Sequence, residues 1–196
     1  MRSEDWFPTR IWFYDLNLDF EKIKNECLNL ETKYPTKIHS NNGGWQSDNI
    51  KLYEDTGEGL LELIQIAEHL ANLYIKPDMK IKKNFSFKSD NSWININRNR
   101  DMNLSHIHPF SLISSCIYIN SPDKNSPIIF ENPKLLQETM ENYEWFEEKN
   151  ELTWDQIHYE PVVGRILFFP SWLKHWVKEN NSHYPRISMS TNYNIV

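Results

Sequence analysis

Hydrophobic positions recur every three or four residues in the first part of this chain and alternate with polar ones in the second. Before the change, RIWFYD (10–15) predicts a strand. Phe20, Ile23, Cys27 and Leu30 then fall on one face of a helix that Asn17 or Asp19 would cap and that would run to about Tyr34. The turn cluster Asn41-Asn42-Gly43-Gly44 follows. Leu60, Leu61, Ile64, Ala67, Leu70, Ala71 and Tyr74 make the clearest helical stripe, with Thr56 as its cap and Pro77 as its end. His69 falls on the polar side of that helix. Both helices read as supports on the back of a sheet.

From residue 80 onward the segments IKKNFSF, SWININ, LISSCIYI, PIIF, RILFF and RISMSTNY each predict a strand. In SWININ, Ile94 and Ile96 share one face, and Trp93, Asn95 and Asn97 the other. In the last strand Arg186, Ser188, Ser190 and Asn192 oppose Ile187, Met189, Thr191 and Tyr193. Unpartnered Arg, Ser and Asn make a poor core but suit the lining of an open barrel; an edge strand with its polar face in water fits the same alternation. Residues 134–150, KLLQETMENYEWFEEKN, carry an acidic helical pattern, read as a surface helix or a rim over a pocket.

Length and composition narrow the class. At 196 residues the chain is expected to be one domain, 1–196, with helical support to about 78 and a β core over about 80–196. A formal charge of -6 argues against nucleic acid or an anionic membrane as partner. No apolar run approaches the roughly 20 residues that span a bilayer, and MRSEDWFPTR has no apolar signal core, so the cytoplasm is the expected compartment. Cys27 and Cys116 are then expected as reduced thiols, Cys116 as a buried small hydrophobe. A C2 dimer is compatible with the chain, but no sequence feature selects one.

The candidate chemistry lies in three histidines and an arginine. His106 and His108 stand two apart in SHIHP, a spacing that puts both imidazoles on one strand face. Downstream, Gly164 opens a Gly-x5-Pro-x4-His pattern that ends at His175, a turn and buried strand returning to a third imidazole. Three imidazoles suit a borderline metal such as Fe²⁺. Trp172 and Trp176 flank His175 and would keep it dry; Trp45, Trp93 and Trp172 would form an aromatic wall. Arg186 and Ser188 share a strand face, where a guanidinium grips a carboxylate and a hydroxyl adds a bond. An arginine paired to an acidic neighbour inside the fold would also account for Arg186.

The stretches NNGGWQS (41–47), SWININRNRDMNLSHIHPFSLISSCIYIN (92–120), PIIFENP (127–133), PVVGRILFFPSWLKHWV (161–177) and PRISMSTNYN (185–194) together span most of the chain. In them it resembles a family of 2-oxoglutarate/Fe(II)-dependent oxygenases of bacteria and phages, related at fold level to prolyl hydroxylases. The resemblance implies a mainly β fold with supporting helices, a double-stranded β-helix of the jelly-roll, cupin-like kind. It implies Fe(II) at His106, His108 and His175, 2-oxoglutarate on Arg186 with Ser188 and Asn95 as helpers, and O₂ as oxidant. The expected substrate is a small molecule or a peptide, oxidised with release of succinate and CO₂.

One departure stands out. Most relatives carry His-x-Asp or His-x-Glu before the second His, and here His108 holds the carboxylate's place. A neutral imidazole leaves the iron one charge more positive, which favours a dianionic co-substrate and leaves open whether hydroxylation or another oxidation results. Glu131 is a weaker alternative carboxylate. Two other readings stay open: a cupin-type three-His metalloenzyme that does not use 2-oxoglutarate, and a non-catalytic β-sandwich binding protein.

Overall fold

A computed structural model describes residues 2–4, 6–121, 126–134 and 146–196. Its strands are β1 (Trp12–Asp15), β2 (Asn41–Asn42), β3 (Trp45–Gln46), β4 (Phe87–Asn97), β5 (Met102–His106), β6 (Ile113–Asn120), β7 (Ile128–Glu131), β8 (Gln156–Tyr159), β9 (Arg165–Pro170), β10 (His175–Val177) and β11 (Arg186–Ile195). They form two antiparallel sheets, β1-β9-β6-β11-β4-β3 and β2-β5-β10-β7-β8. The result is the double-stranded β-helix, with two helices on the outer face of the larger sheet. The expected helical pattern at 134–150 lies largely outside the described residues.

The helices begin where charge and capping allow. In α1 (Phe20–Lys33) the Asp19 carboxylate accepts from the Lys22 N–H, and Ile23, Cys27 and Leu30 are buried. α2 (Glu58–Leu70) departs from expectation at both ends. Its N-cap is Gly57, not Thr56, and has no side chain to offer. Glu26 reaches across from α1 instead, and its carboxylate accepts from the N–H groups of Gly59 and Leu60 at 3.2 and 2.9 Å. At the other end the chain does not stop before Pro77; it widens into a π-helical turn at Ala71–Ile75 and ends in a short turn at Lys76–Asp78. There the Asn72 side-chain amide donates to the Glu68 carbonyl, which the Ala71 N–H also reaches, and to Phe87 O on β4. The extra residue re-aims the stripe, so that Ile75 is buried and Tyr74 is exposed. Leu63 likewise faces the core while Leu61 does not, and His69 is exposed as expected.

Both helices pack on one face of the larger sheet. Ile23, Leu30, Leu60, Leu63, Ala67 and Ile75 meet Ile94, Ile96, Ile117, Ile166, Ile187 and Met189, all of them buried. Each fully buried Leu or Ile contributes about 1.5–3 kcal/mol. A second cluster, with Tyr118, Phe130, Leu167, Phe169 and Leu173, fills part of the space between the sheets. IKKNFSF is not a strand over most of its length: β4 starts only at Phe87, because the Lys-rich run before it offers no alternation and turns at Lys83-Asn84.

Gly43 and Gly44, both at positive φ (73° and 66°), link β2 in one sheet to β3 in the other. A Cβ on Gly44 would lie 2.8 Å from the Ile96 carbonyl oxygen, so the turn needs glycine there.

Candidate active site

The alternation of β4 and β11 builds one wall of a cavity between the sheets. Ile94, Ile96, Ile187 and Met189 enter the helix-packed core. Trp93, Asn95, Arg186, Ser188 and Ser190 line the cavity, and Asn95 lies opposite Ser188 in register. The lining of a barrel, not a solvated edge, accounts for the polar face of the last strand.

The three histidines meet at the mouth of this cavity. Their candidate ligand atoms lie within 4.8 Å of one another. His175 opens β10, in register with His106 on β5 and Phe130 on β7. His108, however, does not share a strand with His106. β5 ends at His106, and His108 sits in the turn that follows, its N–H donating to the Ser171 carbonyl at 2.9 Å. The ring centroids of His106 and His175 are 4.4 Å apart, and those of His108 and His175 4.9 Å.

The hydrogen bonds fix which nitrogens face inward. A carbonyl can only accept, so the Nδ1–H of His106 donates to Leu104 O (2.7 Å) and that of His175 to Leu173 O (2.8 Å). His108 Nδ1 is 2.7 Å from Ser114 Oγ, which itself donates to Asn192 Oδ1 at 2.8 Å. Nδ1 of His108 is thus the donor there too. All three Nε2 lone pairs are left unprotonated, and those of His106 and His108 face each other at 3.2 Å. Two lone pairs at that distance repel unless a cation lies between them. The separation is also that of neighbouring ligands on one ion, roughly 3 Å for imidazole–metal bonds of about 2.1 Å near a right angle. Donor type, tautomer and spacing fit a divalent metal.

Burial keeps the imidazoles neutral. Burial and then the charges of His175 and His106 push His108 down to about 2. Burial, with His106 beside it, pushes His175 down to about 3. His106 is also lowered by burial, against the pull of the Leu104 carbonyl. The shield around His175 is Phe169 (centroids 4.8 Å) and Phe130 (5.7 Å), not the flanking tryptophans. Trp172 is 53% exposed, and Trp176, one residue on from His175, is turned to the opposite face. Of the expected aromatic wall only Trp93 lines the cavity; Trp45 is buried under the helices, its Nε1 donating to Tyr34 O.

Arg186 is 2% exposed. Its Nη1 donates to Asn97 Oδ1 at 3.2 Å, its guanidinium lies 5.2 Å from the centre of the Tyr118 ring, and its buried Nε has no partner. Among the described residues no carboxylate pairs with it. An arginine neutralised inside the fold is therefore not the explanation, and a buried charge without a counter-ion is costly. Glu131 is engaged elsewhere, accepting from Ser105 Oγ at 2.6 Å and pairing with Lys174 at 2.9 Å, and stands outside the histidine cluster.

A family model described as "Putative 2OG-Fe(II) oxygenase" matches residues 91–192, which include all three histidines and Arg186. The chain belongs to that family. It is accordingly an oxidoreductase whose chemistry is that of iron and 2-oxoglutarate, which sets aside the non-catalytic and 2-oxoglutarate-free readings. No curated protein sequence matches it. Solved structures share the fold at low identity. A Pseudomonas putida prolyl-4-hydroxylase is 13% identical with a TM-score of 0.64, over 95% of this chain and 92% of that one. The α-ketoglutarate-dependent carbocyclase SnoK of nogalamycin biosynthesis is 12% identical with a TM-score of 0.67, over 94% and 80%. A prolyl hydroxylase from Trichoplax adhaerens, in complex with a peptide fragment of hypoxia-inducible factor, is 13% identical with a TM-score of 0.64, over 93% and 82%.

Several residues of the site escaped the sequence reading. Asn103 lines the cavity because β5 carries an extra residue: His106 to Asn103 on β5 matches only His175 to Val177 on β10. That bulge breaks the period of two. Ser114, Cys116 and Tyr118 were legible in principle. ISSCIYI reads as an apolar run, yet its alternate positions Ser114, Cys116 and Tyr118 oppose Ile113, Ile117 and Ile119 of the helix-packed core. Burial raises the Cys116 thiol and the Tyr118 hydroxyl, and both stay protonated.

Proposed function

We propose that this oxygenase, as one domain over residues 1–196, couples decarboxylation of 2-oxoglutarate to oxidation of a C–H bond in a small-molecule or peptide substrate. His106, His108 and His175 hold Fe(II), and Arg186, Ser188 and Asn95 bind the co-substrate. The observation that carries this reading is Arg186: a buried cation with no carboxylate partner among the described residues, in the same cavity as three neutral imidazoles.

Bound iron supplies the activation of O₂ that the protein's side chains lack. The side chains bind, orient and exclude water. The Arg186 guanidinium and Ser188 hydroxyl grip the far carboxylate of 2-oxoglutarate, and Asn95, opposite Ser188, offers an amide to the same molecule. Phe130, Phe169 and Leu173 keep water from His175. The reaction balances as 2-oxoglutarate, O₂ and R–H giving succinate, CO₂ and R–OH. One oxygen atom enters succinate and the other the product.

The three-imidazole set supports tight binding of a dianion, because no ligand carboxylate offsets the charge of Fe²⁺. The substrate would approach through the outer groove that shares Trp93, His106 and His108 with the cavity and is walled by Gln46, Asn91, Leu104 and Ile107. The test is succinate formation from 2-oxoglutarate and O₂ by anaerobically purified, Fe²⁺-loaded protein. Succinate from the wild type and none from Arg186→Ala is expected. Iron bound with no succinate under any substrate supplied would refute the reading.

A further inference from the structure

Ser114 uses its whole hydrogen-bonding capacity on groups around one histidine. Its single proton goes to Asn192 Oδ1 at 2.8 Å, so its two lone pairs take the Ser171 hydroxyl at 2.7 Å and the His108 Nδ1–H at 2.7 Å. The bonds converge from three segments. Ser114 is on β6, Asn192 is its register partner on β11, and Ser171 lies in the turn after β9. Ser171 holds His108 a second time, through its carbonyl and the His108 N–H. Ser114 and Ser171 are fully buried, and Asn192 is 8% exposed.

Direction matters more than strength here. Unlike His106 and His175, His108 has no backbone carbonyl at its Nδ1; the partner there is the Ser114 hydroxyl. A serine hydroxyl can either donate or accept. If Ser114 turned its proton toward His108 Nδ1, the ring proton would move to Nε2 and block the face turned to the other two imidazoles. The Asn192 oxygen, which can only accept, claims that proton at 2.8 Å, whereas the Ser171 hydroxyl can either donate or accept.

We infer that Asn192 and Ser114 are positioning residues that fix the tautomer of His108, and thus decide whether this third imidazole can take a metal. The inference rests on the metal-binding role proposed above for the three histidines.

The test compares affinity for Co²⁺, and the d–d absorption of bound Co²⁺, in metal-free protein and four variants. Asn192→Asp keeps an obligate acceptor and introduces a buried charge; Asn192→Leu keeps the volume and removes the acceptor. Ser114→Thr and Ser114→Val form a second pair, equal in shape and differing by the hydroxyl. Asn192→Asp and Ser114→Thr are expected to bind within a few-fold of the wild type. Asn192→Leu and Ser114→Val are expected to lose about 10- to 100-fold in affinity with an altered spectrum. A packing role alone gives the opposite order at 192 and no difference at 114, and either result would overturn the inference. Melting of the metal-free proteins identifies any variant that fails to fold, and the other pair then decides. Wild-type protein that binds no Co²⁺ would overturn the metal-binding role as well, whereas tight binding that ignores all four substitutions would overturn this inference alone.

Discussion

Replacing Arg186 with methionine should make the ligand-free protein more stable while removing its response to 2-oxoglutarate. The side chain is 2% exposed, donates to Asn97 and lies over the Tyr118 ring. Losing the Asn97 bond, made by a charged donor at the long distance of 3.2 Å, costs about 1.5 kcal/mol. Losing the cation–π contact in this desolvated place costs about 1–2 kcal/mol. Against these stands the relief of a desolvated charge without a counter-ion, several kcal/mol on the scale that applies when buried ionic groups are exchanged for apolar ones of like volume. The balance favours Arg186→Met by about 1 kcal/mol, which for a chain of this size raises the melting temperature by roughly 2–4 °C. Adding 2-oxoglutarate reverses the order. At about 100 times its Kd the ligand stabilises the wild type by about 2.7 kcal/mol, and the variant gains nothing. Thermal melting of metal-loaded proteins in a buffer without carboxylate, phosphate or sulfate, with and without 2-oxoglutarate, reads both effects. A variant that melts below the wild type without ligand would refute the reasoning, because the charge would then be well compensated within the fold.

Two further outcomes follow from the histidines. His175→Ala should abolish metal-dependent conversion of 2-oxoglutarate while leaving the far-ultraviolet circular dichroism unchanged; persistent decarboxylation in that variant would refute its role. Acidification should destabilise the metal-free protein well before carboxylates titrate. His108 and His175 stay neutral in the fold, at about 2 and 3, whereas in the unfolded chain each takes up a proton below about 6.5. Their contribution is thus fully present above pH 6.5 and is lost as pH falls, at about 1.4 kcal/mol per pH unit for each. Urea unfolding at pH 7 and pH 5 should differ by about 4 kcal/mol, and equal stabilities would mean that the imidazoles take up protons as readily in the fold as in the unfolded chain.

The sequence was most informative where one rule governs a whole element. Alternation along SWININ and RISMSTNY assigned Asn95, Arg186 and Ser188 to one face, and the cavity receives all three. It was least informative where a side chain overrides the local period. Asn72 bonds to Glu68 O where the chain widens into a π-helical turn, Glu26 caps a helix other than its own, and the β5 bulge brings Asn103 and His106 to the same cavity. His108 is the instructive intermediate. Its identity as a site residue was legible from His-x-His, but not its place beyond the end of the strand, which depends on Ser171 from a segment more than sixty residues away.

The alternation of β11 also bears on how such a protein can change over generations. Its odd positions, Ile187 and Met189, seal the helices to the sheet, and its even positions, Arg186 and Ser188, face the cavity. A deletion of one residue that shifted this strand's register would drive the guanidinium into the apolar core and an isoleucine into the catalytic chamber. Substitutions can reshape the chamber one residue at a time. Length changes within this strand cannot, since folding and turnover would fail together, so variation in length is confined to the loops at the strand ends.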